Sequence, residues 1–225
     1  PGTDAGAGEG ASGALSRGDP VVSAPYDRIA AQYDDARADL RPREAEYLAL
    51  TLDPLGESTA TVLDLGCGTG RPIGTHIASR GHRLVGVDAS RAMLSLARQR
   101  LPDHRWIHRR IEDVEFDECF GAVVCWDSLF HLPRRWFEPV IRKIHRWLQP
   151  GGRFLLSSGG VVDEEGSGFT DMMFGHEFYY DSLPPDRLRA TCEGMGFDVL
   201  ISEMCEEPDG GRNRGKWATI CAKGR

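Results

Sequence analysis

Three glycines and two acidic residues, placed along two short apolar segments, indicate most of the chemistry in this sequence. Residues 61–70 begin as an apolar run and end in Gly66, Gly68 and Gly70. Alternating glycines predict a tight loop after a buried strand, because a chain that turns at once into a helix needs backbone angles that side chains disfavour. Asp64 lies just before the turn, where a carboxylate repels a pyrophosphate and attracts an ammonium group. We therefore predict a cofactor-binding loop here.

A second acid, Asp88, ends the next apolar segment at residues 84–87. A carboxylate at the end of the second strand is suited to binding ribose hydroxyls. The glycine spacing G-x-G-x-G is one residue shorter than the dinucleotide fingerprint G-x-G-x-x-G. The alternative is a loop that needs its glycines only for the turn, and the second strand with its acid argues against it.

Two segments, VLDLGCGTG at 62–70 and VGVDASRAML at 85–94, resemble the class I methyltransferases that use S-adenosylmethionine. The L-x-P-G-G ending at 148–152 resembles the same family. The resemblance implies an α/β fold, a Rossmann-like doubly wound sheet of seven strands. This sheet is mostly parallel with an antiparallel last strand, and helices cover both faces. The implied cofactor is S-adenosylmethionine, with S-adenosylhomocysteine as the product.

The resemblance also implies which residues contact the cofactor. They follow the first four predicted strands, and they are Asp64, Gly66, Cys67, Gly68, Asp88, Ala89, Met93, Ile111, Glu112, Trp126 and Asp127. Position 110 departs from the family, since many relatives have Asp where this sequence has Arg110. An arginine cannot accept a hydrogen bond from the adenine amino group. We therefore expect Ile111 and either Glu112 or Asp113 to bind the adenine.

The acceptor is expected to bind among aromatic and histidine side chains outside the glycine loop. The candidate substrate-binding residues are Tyr26, Tyr33, Phe130, His131, His176, Tyr179 and Tyr180, and the candidate catalytic residues are His131, His176 and Tyr33. His131 is the best candidate for a general base because it follows the fourth strand, although a structural role is equally open. A metal site at Asp127, His131 and His176 is a weaker alternative, because their spacing matches no common metal motif. We predict no metal.

A chain of 225 residues can form one sizeable core, so we expect a single domain at 21–225 after a flexible tail at 1–20. A helix around residues 26–35 is predicted to cap the site. Residues 159–183 are diluted by glycines yet rich in aromatic and methionine side chains. Long loops in compact domains are usually functional, so we predict a substrate lid there.

Composition argues against several partners. The formal net charge of −7 does not favour a nucleic-acid backbone, and no apolar stretch approaches the length of about 20 residues that spans a bilayer. The six cysteines form no CxxC pair, which suggests a reducing compartment. We expect a cytoplasmic protein, a monomer or homodimer, whose partner is a small-molecule acceptor rather than nucleic acid or a membrane.

The predicted function is transfer of a methyl group to an oxygen, nitrogen, carbon or sulfur atom of a small metabolite of a biosynthetic pathway. In-line displacement depends mainly on alignment of the reactants, with a general base where the nucleophile carries a proton. One alternative is a catalytically silent accessory protein that binds S-adenosylmethionine. A nucleotide-sugar or nicotinamide enzyme is a weaker alternative, which the short glycine spacing opposes.

Overall fold

The computed structural model describes residues 23–159, 168–208 and 215–225, and the predicted tail at 1–20 lies outside them. The helices are α1 (Ser23–Ala36), α2 (Pro42–Leu52), α3 (Ile73–Ser79), α4 (Arg91–Arg100), α5 (Phe137–Trp147) and α6 (Pro185–Gly194). The strands are β1 (Thr61–Leu65), β2 (Arg83–Asp88), β3 (Arg105–His108), β4 (Phe120–Cys125), β5 (Leu148–Gly159), β6 (Phe169–Met173), β7 (His176–Tyr180), β8 (Phe197–Glu206) and β9 (Lys216–Lys223). No helix in these ranges is both long and apolar enough to cross a bilayer.

Seven strands form the main sheet, in the order β3-β2-β1-β4-β5-β9-β8. The pairs among the first five strands are parallel, whereas β9 runs antiparallel to both β5 and β8. The predicted mostly parallel sheet with an antiparallel last strand is therefore confirmed. The strand order reverses between β1 and β4, and such a reversal leaves a crevice at the carboxyl ends of the two strands.

Alternate residues of each central strand face two separate apolar cores. Leu63 and Val123 pack in the core that α5 and α6 cover, whereas Val62 and Val124 pack in the core that α2 and α3 cover. A sheet that is buried on both faces needs apolar residues at nearly every position, and β4 is buried along its whole length. Helices thus cover both faces, as the resemblance implies.

The loop after β1 is held against the end of β2. The backbone N–H groups of Gly66 and Cys67 both donate to the carbonyl oxygen of Val87, at 2.8 and 3.0 Å. Gly66 has a φ of 77°, and a Cβ at this position would overlap the Cβ of Ser128. Glycine is therefore required here by the backbone angle and by the space, because Ser128 comes from the segment after β4.

Two carboxylates fix α1 beside this loop. Asp27 accepts a hydrogen bond of 2.6 Å from the Ser90 hydroxyl at the start of α4. In the last turn of α1, Asp34 accepts from Arg71 Nη2 at 2.6 Å and from Arg100 Nη2 at 2.9 Å. The helix that the sequence predicts as a cap is thus attached near both ends to the glycine loop and to α4.

Residues 169–180 form a β-hairpin, where the sequence predicts a long glycine-diluted loop. The ladder pairs Phe169 with Tyr180 and Met173 with His176, and Phe174 and Gly175 form the turn with φ values of 49° and 78°. The backbone satisfies its own hydrogen bonds in this way, which a loop cannot do. The correction concerns the shape of the segment, and its role as a lid stays a prediction.

The close approach of Gly66 to Ser128 can be tested by substitution. Gly66→Ala and Gly81→Ala both place a Cβ at a positive φ, but nothing lies within 4 Å of the Cβ at Gly81. We expect Gly81→Ala to lower the free energy of unfolding by about 1–2 kcal/mol through the left-handed angle alone. In urea unfolding, Gly66→Ala should lower the free energy of unfolding by more than Gly81→Ala does. Adding Ser128→Gly to Gly66→Ala should restore part of that extra loss. Equal losses of unfolding free energy in the two alanine variants would show that the overlap with Ser128 does not affect stability.

Candidate active site

Two adjoining cavities open at the carboxyl ends of β1 and β4, beside α1. The space between their walls, including the open solvent at their mouths, measures about 820 and 330 Å³. The larger cavity is lined by Tyr26, Tyr33, Gly66, Gly68, Asp88, Ala89, Met93, Arg110, Ile111, Glu112, Asp127, Ser128, His131 and Leu132. The smaller one is lined by Tyr33, Arg37, Asp64, Gly66, Cys67, Gly68, Arg71, Pro72, Ile73, Trp126 and Asp127. The shared residues make the two cavities one continuous site.

Asp88 is held in place by backbone amides. Its carboxylate accepts hydrogen bonds of 2.8 Å from the N–H of Gly68 and from the N–H of Ser90. Burial raises the pKa of Asp88 to about 6, although these two hydrogen bonds oppose the shift. Each oxygen keeps a further lone pair, so the carboxylate can accept hydrogen bonds from a ligand as well.

The carboxylate of Asp64 is buried without a partner among the described residues that would stabilise its charge. Only 2% of the residue is exposed, and among the described residues no cation or hydrogen-bond donor binds its carboxylate. Burial, together with repulsion from Asp88, raises the pKa of Asp64 to about 7. A buried carboxylate of this kind is costly to ionise until a positive group binds it. The smaller cavity, which Asp64 lines, is therefore suited to a cationic ligand group.

Asp127, by contrast, already has two cationic partners. Lys216 Nζ lies 2.9 Å from Oδ1, and Arg37 Nη2 lies 3.6 Å from Oδ2. Burial alone would raise the pKa of Asp127, but these two cations lower it below its ordinary value. The backbone here is left-handed, with a φ of 52°, a region in which Asp is more common than most residues. The two cations thus hold an ionised carboxylate at the boundary between the cavities.

Arg37, which pairs with Asp127, also pairs with Glu44 in α2. Its Nη2 atom lies 3.1 Å from Glu44 Oε1, and that oxygen also accepts a hydrogen bond of 3.1 Å from the indole N–H of Trp126. Glu44 is buried and keeps its charge paired with Arg37. The indole of Trp126 is therefore fixed by a charged network that α1 and α2 contribute.

Tyr26, His131 and the backbone of Tyr179 form a chain of hydrogen bonds at the wall of the larger cavity. His131 Nδ1 lies 2.8 Å from the carbonyl oxygen of Tyr179, and His131 Nε2 lies 2.7 Å from the hydroxyl of Tyr26. A carbonyl oxygen can only accept, so Nδ1 carries the proton and the Tyr26 hydroxyl donates to Nε2. The arrangement fixes the tautomer of His131.

The groups in this chain are neutral near pH 7. Burial lowers the pKa of His131 to about 4, and burial raises the pKa of Tyr26 well above its ordinary value. Burial, together with the negative charge of Asp127, raises the pKa of Tyr33 to about 12. The wall of the cavity next to α1 therefore presents hydroxyl and imidazole groups without a net charge.

The opposite end of the larger cavity combines apolar and ion-paired side chains. Met93 and Ile111 are buried there, and Arg110 Nε donates a hydrogen bond of 2.6 Å to Glu112 Oε1. The second oxygen, Glu112 Oε2, is buried and has no partner among the described residues. The sequence anticipates that Arg110 cannot act as an acceptor, but it does not reveal that Arg110 pairs with Glu112.

The predicted site residues fall into two groups. Every predicted cofactor-binding residue lines one of the two cavities, and so do Tyr26, Tyr33 and His131. Four predicted acceptor residues, Phe130, His176, Tyr179 and Tyr180, are not among the described residues that line either cavity. His176 starts β7 beside the hairpin turn. Within the described ranges no group of three or more His, Cys, Asp or Glu side chains could hold a metal ion, so the metal alternative gains no support.

Comparison with known proteins identifies the family. Residues 62–152 match the methyltransferase domain family. The malonyl-[acyl-carrier protein] O-methyltransferase of Serratia marcescens is 31% identical over 192 residues, covering 82% of this chain and 70% of that protein. The ubiquinone biosynthesis O-methyltransferase of Pseudomonas paraeruginosa is 27% identical, and the match covers 82% of this chain and 86% of that protein. This chain belongs to the class I S-adenosylmethionine-dependent methyltransferases.

Solved structures agree with this methyltransferase fold. The N-methyltransferase NodS of Bradyrhizobium japonicum, in complex with S-adenosyl-L-homocysteine, matches with a TM-score of 0.68 at 17% identity, covering 90% of this chain and 98% of that one. The 1,6-didemethyltoxoflavin N1-methyltransferase of Burkholderia thailandensis matches with a TM-score of 0.62 at 18% identity, and the match covers 93% of this chain and 94% of that one. At these identities the likeness establishes the fold alone.

The residues of this methyltransferase fit its cofactor, S-adenosylmethionine. The unpaired, buried carboxylate of Asp64 is suited to the cationic amino group, and the free lone pairs of Asp88 are suited to ribose hydroxyls. A Cβ at Gly68 would have only Tyr33 nearby, at 3.8 Å, so this glycine leaves room in the cavity. The fit therefore rests on charge, hydrogen-bonding capacity and space.

Sequence reasoning missed three residues that shape the methyltransferase site. Arg37 and Lys216 neutralise Asp127, and Ser128 packs on Gly66 while its hydroxyl donates to the carbonyl of Leu65 at 2.7 Å. The signal for Arg37 was its position one turn after Tyr33. For Lys216 no local signal exists, because its partner lies 89 positions earlier in the chain.

The unpaired burial of Asp64 predicts an unusual titration. In ¹³C carboxyl NMR of the ligand-free chain, we expect the resonance that Asp64→Asn removes to titrate with a pKa of about 7. The resonance that Asp127→Asn removes should titrate below the ordinary aspartate value of about 4, because Lys216 and Arg37 stabilise the ionised form. An ordinary pKa for Asp64 would contradict its isolation from cations.

Proposed function

We propose that this methyltransferase transfers the methyl group to a hydroxyl oxygen of a small acceptor bound between α1 and the end of β4. The observation that carries the proposal is the 2.7 Å hydrogen bond between the Tyr26 hydroxyl and His131 Nε2 within the larger cavity. An oxygen nucleophile carries a proton that must leave, and this pair provides an acceptor for it. A thiolate or an unprotonated amine has less need of such a pair.

The cofactor site is proposed to extend across both cavities. Asp64 binds the amino group from the smaller cavity, Asp88 accepts hydrogen bonds from the ribose hydroxyls, and Met93 and Ile111 pack on the adenine. Asp127 is less suited to the amino group than Asp64, because two cations already neutralise it. Its role is instead to orient Arg37 and Lys216 at the junction of the cavities.

Bound S-adenosylmethionine supplies an electrophilic methyl group on a sulfonium centre. Tyr26 is placed to accept the proton of the acceptor hydroxyl while donating its own proton to His131 Nε2. The oxygen–carbon bond forms as the sulfur–carbon bond breaks, and the proton ends on the imidazole. The carbonyl of Tyr179 then stabilises the resulting imidazolium through the Nδ1–H bond, and solvent takes the proton after product release.

A weak base is sufficient for this step. With its pKa lowered to about 4, His131 cannot deprotonate a free phenol, whose pKa is about 10, before the reaction. The hydroxyl becomes much more acidic as its oxygen bonds to carbon, because positive charge then develops on that oxygen. Proton transfer late in the displacement therefore needs only a neutral acceptor in the correct position.

The relatives support an oxygen acceptor. Both the Serratia marcescens and the Pseudomonas paraeruginosa proteins are named as O-methyltransferases, and the first is 31% identical to this chain. The NodS and didemethyltoxoflavin enzymes are N-methyltransferases, but they share only the fold. The similarity in sequence thus favours oxygen over nitrogen.

The function is tested by supplying methyl-labelled S-adenosylmethionine with matched acceptors that differ in one atom. 2-Naphthol, 2-naphthylamine and 2-naphthalenethiol form such a set, and simple carboxylates and alcohols extend it. Mass spectrometry should find the label on oxygen. Label only on nitrogen or sulfur would overturn the oxygen assignment, while the methyltransferase activity itself would stand.

Cofactor affinity is expected to depend on pH through Asp64. Because the pKa of Asp64 is about 7, its carboxylate is mostly protonated at pH 6 and mostly ionised at pH 8, and only the ionised form attracts an ammonium group. Calorimetry should show S-adenosylhomocysteine binding roughly ten-fold more tightly at pH 8 than at pH 6. Asp64→Asn should bind more weakly and lose most of this dependence, whereas Asp117→Asn, an exposed acid, should retain it. An unchanged pH profile in Asp64→Asn would assign the ammonium group to another residue.

Removing the hydroxyl of Tyr26 should affect turnover more than cofactor binding. In Tyr26→Phe we expect kcat to fall by about 10²-fold or more with the best oxygen acceptor of the panel, because the proton loses its path to His131. The affinity for S-adenosylhomocysteine should stay within about three-fold, a difference below 1.4 kcal/mol. Tyr47→Phe is the matched control, since its hydroxyl binds Glu203 and lies outside both cavities. Equal kcat values in Tyr26→Phe and the control would remove Tyr26 from the proton path.

A further inference from the structure

A row of aromatic rings leads from the hairpin to the wall of the larger cavity. Phe169 of β6 stacks on Tyr180 of β7 with ring centroids 5.5 Å apart, and Tyr180 lies 4.9 Å from the imidazole of His131. His131 in turn meets Tyr26 edge-on at 5.4 Å. Phe130 stacks on the ring of Tyr180 as well, at 5.9 Å. We call these five residues the ring row.

The ring row is accessible where it leaves the cavity. Phe130, Phe169 and Tyr180 are only half-buried, whereas His131 is buried at the cavity wall. No residue of the ring row belongs to the proposed cofactor site at the glycine loop and the adenine end. The half-buried rings therefore adjoin the proton path without contacting the groups that hold the cofactor.

The cationic side chains that line the two cavities, together with the nearby Lys216, are each paired with a carboxylate. Arg110 is paired with Glu112, and Lys216 with Asp127 and Glu206. Arg37 is likewise paired with Glu44, and Arg71 with Asp34. Among the described residues that line either cavity, no cation is left to neutralise a carboxylate or phosphate on an acceptor. Burying an unpaired anion beside the ring row would be costly.

We propose that the acceptor is an uncharged aromatic compound whose flat face packs on the ring row while its hydroxyl reaches Tyr26. This inference rests on the proposed function and adds the chemical class of the acceptor. Phe130 and Phe169 pack against Tyr180 at the spacings that aromatic pairs prefer, and a flat acceptor ring would extend this packing toward Tyr26. A saturated ring of the same size would lose that specific geometry and keep only the hydrophobic contact.

Binding measurements alone can identify the chemical class of the acceptor. The full chain, saturated with S-adenosylhomocysteine, is titrated with 2-naphthol, with its saturated counterpart decahydro-2-naphthol, and with the anionic 6-hydroxy-2-naphthoate. We expect 2-naphthol to bind about 3- to 10-fold more tightly than the saturated compound, the range that corresponds to an aromatic pair. The naphthoate should bind at least about ten-fold more weakly than 2-naphthol, because the cations among the described residues that line either cavity are already paired with carboxylates.

Variants show whether the preference arises at the ring row. Tyr180→Leu and Phe130→Leu should each reduce the preference for 2-naphthol over decahydro-2-naphthol to about two-fold or less, while S-adenosylhomocysteine affinity stays unchanged. Phe116→Leu is the control, because Phe116 packs on Phe120 and Trp147 away from the site. Unchanged cofactor affinity in each variant shows that the protein remains folded.

Three outcomes would overturn the inference. These are equal or tighter binding of the saturated compound, tighter binding of the naphthoate, and the absence of saturable 2-naphthol binding up to millimolar concentration. A preference that survives both ring variants would equally place the aromatic compound elsewhere. Methylation of 2-naphthylamine in place of 2-naphthol would refute the oxygen acceptor and leave the aromatic class intact, so the two proposals fail separately.

Discussion

Three carboxylates at one edge of the sheet are the constraint on which the site depends, and Asp64 is buried while Asp88 and Asp127 are half-buried. Asp127 is neutralised by two cations, and Asp88 is held by two backbone amides, but Asp64 has neither kind of partner among the described residues. The fold accordingly stores one unfavourable charge at the end of β1, which is relieved when a positive group binds or when the acid takes up a proton. The electrostatics of the site therefore favour a ligand that carries a positive group, since a neutral or anionic ligand would leave that charge unrelieved.

The two halves of the site have different origins in the chain. The matched methyltransferase region, residues 62–152, provides the strand ends and the glycine loop that line both cavities. Outside that region, α1 provides Tyr26 and Tyr33 of the cavity lining, and β9 provides Lys216, which pairs with Asp127. Asp27 and Asp34 fix α1 in place, so the exposed acid and the buried one together set the position of Tyr26 and Tyr33. Members of one family can therefore share a cofactor site and differ in what they methylate.

Local patterns determined how much of this structure the sequence could predict. Apolar runs that end in glycine or aspartate are local signals, and they predicted the parallel strands, the loop and the acids at the strand ends. The pairing of Lys216 with Asp127 depends on the antiparallel insertion of β9, which no local pattern encodes. The hairpin at 169–180 was missed because the glycines of the segment suggested a loop, although the residues that pair in the hairpin lie only 3 to 11 positions apart. No sequence pattern pointed to Ser128, because its role is to pack closely on Gly66, which has no side chain.

The tautomer of His131 is set by a main-chain oxygen, that of Tyr179, and this has a consequence for how the enzyme can evolve. Every amino acid supplies the same carbonyl, so this contact places no demand on the side chain at position 179, whose own hydroxyl donates to Asp181 Oδ2 at 3.2 Å. The orientation of the imidazole therefore depends on the backbone at this position. What evolution must preserve there is the register of β7 against β6, because a shift of one residue would present a different carbonyl geometry to the ring. The contact that orients the imidazole therefore tolerates changes of hairpin side chains as long as the register of the two strands is kept.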